Sequence, residues 1–473
     1  MVRLNVEGAS PERLDHALLM RKLSDFALYT YTKEYDLGVE KTSSPREITS
    51  VRMLRLCFVV VFTVVIVVVV DALPQPKLRH LNHGGFEVSI EVDGDLKHGK
   101  ADVNVTSGRK IKYTLVGTQN GKRLVSSGRM KTGETGVSVV PQNQPSQGWL
   151  VFRDDFDGPV STDNWEYEVS MYGGYNWEIQ VYTSDQLNVF TRNGNLFLKP
   201  TLTSEKFGEH FLHHGTMDVR KIWGSCTNAD RWGCVREGRN GILPPVMSGK
   251  LKSKKTIKFG RVNVRARIPQ GDWIWPAIWM LPRHLQYGGW PASGEIDIME
   301  SRGNSFARDP SGNDHGRNEI GATLHWGPSP SQNRWELTHA ARTDGSFSNS
   351  FHLYSLDWTV DHIIVSVDNQ EVLRVPIGSG GFWQKGGFHG HNPWGSGSKA
   401  APFDTAFYLI LNVAIGGTNG FFPDTWTYNS RKPYWNNSPN INQNFWDARN
   451  EWRPSWQGDN VAMEVDYVEM FQY

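Results

Sequence analysis

From Trp149 to Tyr473 apolar and polar side chains alternate in short runs. Successive side chains of a strand point to opposite faces, so a period of two marks half-buried strands. The runs 195–202, 260–268, 295–300, 351–358, 363–367, 407–413 and 462–473 read as strands on this pattern. No long stretch carries the 3.6-residue period of an amphipathic helix. Gly and Pro are dense between the runs, where turns need them. The segment 149–473 therefore predicts an all-β fold, a β-sandwich or jelly roll. Two loop-rich segments, 378–403 and 419–457, are longer than ordinary connections, which predicts functional loops or loops ordered by their own aromatics.

The N-terminal third is organised differently. Leu56 to Val70 is almost wholly apolar, follows Arg52 and Arg55, and leads into Val70-Asp71-Ala72. It is too short to span a bilayer as a helix and reads as a secretory signal peptide over 53–72, with Met53 as its start. An uncleaved signal anchor is the alternative, and only it would bring a membrane partner. Residues 1–52 are polar and irregular and receive no fold, as a leader or a gene-model artefact. Residues 73–85 and 141–148 read as linkers. Between them, residues 86–141 alternate again, punctuated by Asp93-Gly94, Asn120-Gly121 and Thr132-Gly133 as turns, which predicts a small all-β module within 73–148.

Composition narrows the function. The net charge is +1, with no basic run, which argues against a nucleic-acid partner. The chain has 19 Trp, many beside Gly, Asn, Asp or Pro in loop-like segments. Half or more have ordinary packing roles; several are expected to line a groove, since sugar rings present apolar C–H faces that stack on aromatics. Cys226 and Cys234 bracket a polar loop at a spacing that is not CxxC, which favours a disulfide in a secreted chain over a metal site. Sequons at Asn104 and Asn436 fit secretion and are candidate glycosylation sites.

The densest chemistry lies in Gly294-Glu-Ile-Asp-Ile-Met-Glu300. Strand alternation puts Glu295 and Asp297 on one face and Ile296 and Ile298 on the other. Glu300 joins the acids if Met299 forms a β-bulge. Three adjacent acids repel, which raises the pKa of at least one. Two carboxyl groups about 5–5.5 Å apart are what a retaining glycosidase uses. The bland alternative is the wet face of an amphipathic strand.

The surroundings favour the chemical reading. Phe152-Arg-Asp-Asp-Phe-Asp157, Gly173-Gly-Tyr-Asn-Trp-Glu178, Trp223-Gly-Ser-Cys226 with Cys234, and Gly260-Arg-Val-Asn-Val-Arg-Ala-Arg267 are followed by Trp275-Pro-Ala-Ile-Trp279, the acid cluster, His325-Trp-Gly327 and Leu411-Asn-Val-Ala-Ile-Gly-Gly417. In this order the segment 149–473 resembles family 16 glycoside hydrolases, in the laminarinase-like branch that includes the invertebrate β-1,3-glucan-binding proteins. The resemblance implies a concanavalin-like β-jelly roll with an open cleft for a polymer.

It also implies roles. Glu295 matches the nucleophile, Glu300 the general acid/base and Asp297 the helper between them. Trp275 and Trp279 match stacking platforms, though core packing is the alternative. His325 and Trp326 match sugar contacts, and Asn176 a hydroxyl-holding group at the cleft edge. Arg265 is expected to orient a carboxylate or a sugar, with an exposed salt bridge as the alternative. Asp466, with backbone near Asp157, matches a structural calcium position; no other cofactor is expected. The module before residue 148 sits where relatives carry a glucan-recognition domain. The resemblance thus implies an extracellular chain that binds β-1,3-glucan in digestion or innate immunity. It is expected to keep endo-β-1,3-glucanase activity, because all three acids remain. A non-catalytic pattern-recognition protein is the alternative, and a structural glucan-coating protein a third.

Overall fold

The computed structural model describes residues 148–345 and 347–473 in full, and before them only the backbone of short strands between residues 2 and 131. The chain divides into two units, residues 1–145 and 146–473. In the first unit, strands His98–Thr106, Lys110–Gln119 and Lys122–Lys131 form an antiparallel meander. Gln119 pairs with Lys122 at the end of its second hairpin, and the turn expected at Asn120-Gly121 lies outside the described residues. The apolar segment 56–70, the linkers, the turns at 93–94 and 132–133 and the side chain of Asn104 lie outside the fully described residues.

The second unit is built on two large antiparallel sheets. In chain order their strands are β1 (Trp149–Asp154), β2 (Trp165–Tyr167), β3 (Val189–Arg192), β4 (Asn195–Leu198) and β5 (Lys250–Ile257). There follow β6 (Gly260–Arg267), β7 (Ile274–Pro282), β8 (Glu295–Glu300), β9 (Glu319–His325) and β10 (His339–Thr343). The last five are β11 (His352–Trp358), β12 (His362–Val367), β13 (Gln370–Pro376), β14 (Phe407–Ile415) and β15 (Met463–Gln472). One sheet runs β2-β5-β14-β7-β8-β9-β10. The other runs β3-β4-β15-β6-β11-β12-β13, with β1 pairing the far edge of β15. This is the predicted jelly-roll sandwich.

The core follows from alternation. In β6 every second residue is buried, including Val262, Val264 and Ala266. Ile274, Ile278 and Met280 of β7 and Ile296 and Ile298 of β8 are buried in the same hydrophobic cluster. Each such side chain contributes about 1.5–3 kcal/mol by leaving water. The expected strand at 195–202 is shorter than the alternation suggested: β4 stops at Leu198, before Lys199-Pro200. Proline has no N–H to give to a ladder. The helices among the described residues have at most seven residues, the longest being Ile441–Asp447, too short to leave a legible 3.6 period. No helix among the described residues is long and apolar enough to cross a membrane.

The two long segments are ordered by aromatics. Phe382, Phe388 and Trp394 pack around Trp326. Phe422, Tyr428 and Tyr434 surround Trp273. Phe421 stacks on Trp275 with ring centres 3.9 Å apart.

Candidate active site

Strand β8 carries the three acids at the middle of its sheet, between β7 and β9. Against β9, Asp297 pairs with Thr323 and Glu300 with Gly321, so β8 has one extra residue between them. Against β7, Ile278 faces Met299 and Trp279 faces Asp297, which leaves Ile298 as the unpaired residue. The bulge thus falls at Ile298–Met299, both buried in the core, and Glu300 returns to the face of Glu295 and Asp297. A bulge with two apolar residues facing inward rotates one side chain without losing core contact.

Each glutamate is held by an indole. Trp275 donates Nε1–H to Glu300 at 3.0 Å, and Trp290 donates Nε1–H to Glu295 at 3.0 Å. His325 lies directly opposite Glu295, with Nε2 3.3 Å from Asp297 Oδ2 and 3.9 Å from Glu295 Oε1. Asn333 Nδ2 lies 2.8 Å from His325 Nδ1 and fixes the ring. Burial and the Asp297 charge push Glu295 up to about 8. Burial and Glu300 lift Asp297 well above the carboxylate range, and burial raises Glu300. Among the described residues no Arg or Lys forms an ion pair with any of the three, so dehydration outweighs the charges of His325 and Arg302. At neutral pH the cluster therefore holds fewer charges than carboxylates, and protons are shared among its members.

Trp279 stands on the cleft face of β7, donating Nε1–H to Asn412 Oδ1 at 2.6 Å. Asn412 donates to Tyr182 Oη, which donates to Glu178, which also accepts from Asn176 Nδ2 at 3.1 Å and Gln180 Nε2 at 2.8 Å. This relay joins Asn176 at the cleft edge to the Trp279 platform. The ammonium of Lys250 lies 4.8 Å from the Trp279 ring centre.

Trp326 and Arg265 lie away from the acids. Trp326 is fully buried, donates to Thr338 Oγ1 at 2.8 Å and packs among Phe382, Phe388 and Trp394. It follows His325, so alternation sends it to the other face. Arg265 lies on β6 of the opposite sheet and pairs with the buried Asp466 at 2.5 Å. It orients a carboxylate, and that carboxylate is structural. Asp466 is also the position expected for a structural calcium. Among the described residues, the trio compact enough to ligate a metal is Glu295, Asp297 and His325, with ligand atoms within 4.8 Å of one another, and it is the acid cluster itself. At the second sequon, Asn436 Nδ2, where a glycan would attach, donates to the Phe422 carbonyl at 3.2 Å. Cys226 and Cys234 form the expected disulfide.

Sequence reasoning missed Trp290, although Gly288-Gly-Trp-Pro291 stands only five residues before Glu295. It also missed the clamp on Trp275. Phe421 covers one face of that indole, and Arg302 lies 4.1 Å from the Phe421 ring centre while donating to the Phe421 carbonyl at 2.9 and 2.7 Å. No local pattern links residues so far apart in the chain.

Comparison with known proteins fits this geometry. Residues 219–379 match the model of glycosyl hydrolases family 16. A β-1,3-glucan-binding protein of Penaeus monodon is 46% identical over 354 residues, spanning 71% of this chain and 93% of its own. The chain belongs to glycosyl hydrolase family 16. A second relative, a glucan endo-1,3-β-glucosidase of Cryptopygus antarcticus, is 30% identical over 272 residues, covering 57% of this chain and 81% of its own. Among solved structures, the laminarinase of Rhodothermus marinus aligns with 68% of this chain and 96% of its own, at 24% identity and a TM-score of 0.44.

Proposed function

We propose that this family 16 chain is an extracellular β-1,3-glucan-binding protein that also hydrolyses the glucan, as a retaining endo-β-1,3-glucanase. The observation that carries the hydrolytic reading is that, among the described residues, no Arg or Lys pairs with the three acids, two of which are instead oriented by indole N–H groups. A protein that only binds glucan gains nothing from mutually repelling carboxylates in its groove.

The chemistry follows. Burial and the Glu300 charge also hold a proton on Asp297, so Glu295 becomes the attacking anion once it gives up the proton that burial keeps on it up to about pH 8. Glu295 attacks the anomeric carbon while protonated Glu300 gives its proton to the departing glycosidic oxygen. A glycosyl-Glu295 ester forms as the glycosidic bond breaks. Glu300, now anionic, takes a proton from water; the hydroxide displaces Glu295 and the cycle closes. The stereochemistry is retained because two inversions occur. Trp279 would stack a pyranose face beside the reacting bond, Trp275, buried against Phe421, would orient Glu300, and His325 would steady the cluster's charge.

The relatives' names support glucan binding and divide over catalysis, so binding without turnover is the second reading. Reducing-sugar release from laminarin by the full chain, with Glu295→Gln as control, separates the two. Release by the wild type alone, with retained anomeric configuration by NMR, is expected. No release alongside retained pull-down on curdlan would leave only the binding reading. Secretion rests on the apolar segment 56–70; a mature N-terminus near Leu73 is expected from N-terminal sequencing.

A further inference from the structure

The disulfide-closed loop at 226–234 presents aromatic side chains that no fold or catalytic requirement explains. Trp232 is 73% exposed and Trp177 45% exposed, large apolar areas to leave in water. Both, with Tyr175 and Arg231, adopt left-handed backbone: φ is 54° at Trp177, 63° at Tyr175, 51° at Arg231 and 59° at Trp232. Each bulky residue in that region costs on the order of 1 kcal/mol and persists only where its surroundings enforce it.

The enforcement is visible. The Cys226–Cys234 bond closes the loop. The Gly233 carbonyl accepts from Met171 N–H at 2.8 Å, and Thr227 N–H donates to the Val169 carbonyl at 3.0 Å. Tyr175 Oη donates to Asp230 at 2.7 Å. The Arg231 guanidinium lies 4.5 Å from the Trp177 ring centre and 5.3 Å from that of Tyr175, and its Nη1 makes no hydrogen bond. Arg231 is thus committed to holding rings.

This cluster is continuous with the cleft by two routes. Asn176, next to Trp177, accepts the Thr418 N–H at 2.8 Å. A Cβ placed on Gly417 would stand 3.3 Å from the Asn176 carbonyl and 3.6 Å from the Trp275 ring, whose N–H holds Glu300. On the other route, Trp279 meets Lys250, Lys250 Nζ donates to Tyr172 Oη at 3.0 Å, and the Tyr172 and Tyr175 rings lie edge to face at 5.2 Å.

We propose that Trp177, Arg231 and Trp232 form a distal platform that stacks outer glucosyl units of the same glucan chain whose inner units lie over the acids. The proposal rests on the glucan reading of the cleft and adds a length preference to it. A rigid, pre-formed loop loses little freedom on binding, so exposed indoles there convert stacking into affinity. A short oligosaccharide bound over the acids does not reach the platform; a long one does.

The test uses the full chain carrying Glu295→Gln, so that ligands are not consumed, with calorimetric binding of laminaritriose and laminariheptaose. Trp232→Ala and Trp177→Ala are each expected to weaken the heptaose roughly tenfold, as loss of one ring stack implies, and to leave the triose unchanged. Trp232→Phe, which keeps a ring, is expected to restore most of the loss. Cys226→Ser with Cys234→Ser, which frees the loop, is expected to reproduce it. Equal affinity of wild type and both Trp→Ala variants for the heptaose would overturn the platform while leaving glucan binding intact. Equal weakening of triose and heptaose would also overturn it, because the effect would then lie in the cleft. Failure of the parent chain to bind either ligand would remove the glucan reading and the platform with it.

Discussion

The chain contains the same acidic pattern twice. Glu295, Asp297 and Glu300 on β8 have the spacing of Glu464, Asp466 and Glu469 on β15. Both strands are central in their sheets, and both are bulged near the middle acid, at Ile298 in one and opposite Arg265–Ala266 in the other. The difference lies in the neighbours. On β15, Arg267 pairs with Glu464 at 3.0 Å, Arg265 with Asp466 at 2.5 Å, and Arg153 with Glu469. On β8 the cross-strand neighbours are Thr323, Gly321, His325, Ala277 and Trp279, and the polar contacts come from two indoles and one imidazole. Cations turn one triplet into a structural ladder. Without such ion pairs among the described residues, the other is able to hold and release protons.

Four perturbations test that contrast. The largest effect is on turnover: Glu295→Gln or Glu300→Gln is expected to lower laminarin hydrolysis by about 10²–10⁴-fold or more while curdlan binding persists, measured as reducing sugar and pull-down. Glu464→Gln should leave hydrolysis within about twofold; a loss like that of Glu300→Gln would erase the distinction between the triplets. Next, Trp275→Phe keeps the stacking ring on Phe421 but removes the N–H that Glu300 accepts. It is expected to lower kcat by roughly tenfold, as the loss of a hydrogen bond to a charged group does, with KM little changed. Third, Arg265→Ala strips the buried Asp466 of its cation and should destabilise the fold by about 1–3 kcal/mol in urea melts, with activity per folded molecule unchanged.

The smallest effect is on pH dependence. The folded pKa of Glu295 is raised to about 8, above that of the unfolded chain, so the folded state holds its proton longer. Stability from this source is fully present below the unfolded value and is lost as pH rises through about 8. Melting temperature should therefore fall from mildly acid pH toward pH 8, and Glu295→Gln should flatten that fall and raise Tm at pH 8 by about 2–4 °C. An unchanged slope in Glu295→Gln would mean that Glu295 is not dehydrated as described. Arg265→Ala should leave the slope over this window as it is, which separates the two triplets by a measurement independent of activity.

Much of this was legible in residue order. Alternation along 260–267 and 295–300 set the strands and the face of the acids, because a period of two depends only on the backbone. The bulge that returns Glu300 to its partners was expected and falls between the same two acids. The disulfide was expected from the spacing of Cys226 and Cys234. The expected sugar contact at Trp326 failed, and the carboxylate that Arg265 orients lies on the opposite sheet, for one reason. A motif gives a residue's neighbours in the chain, whereas its face and sheet come from the fold.

The sequence by itself determined the all-β architecture, the family and the strand that carries the acids, since these rest on local periodicity and on ordered motifs. Only the tertiary structure decided which of two identical acidic patterns is left without an Arg or Lys ion pair among the described residues. It also decided that Trp290 and Trp275 each hold a glutamate, and that Phe421 and Arg302 clamp the Trp275 ring. Charge and dehydration are set by groups that meet across sheets and long loops, and residues distant in the chain acquire those relations only when the two sheets close.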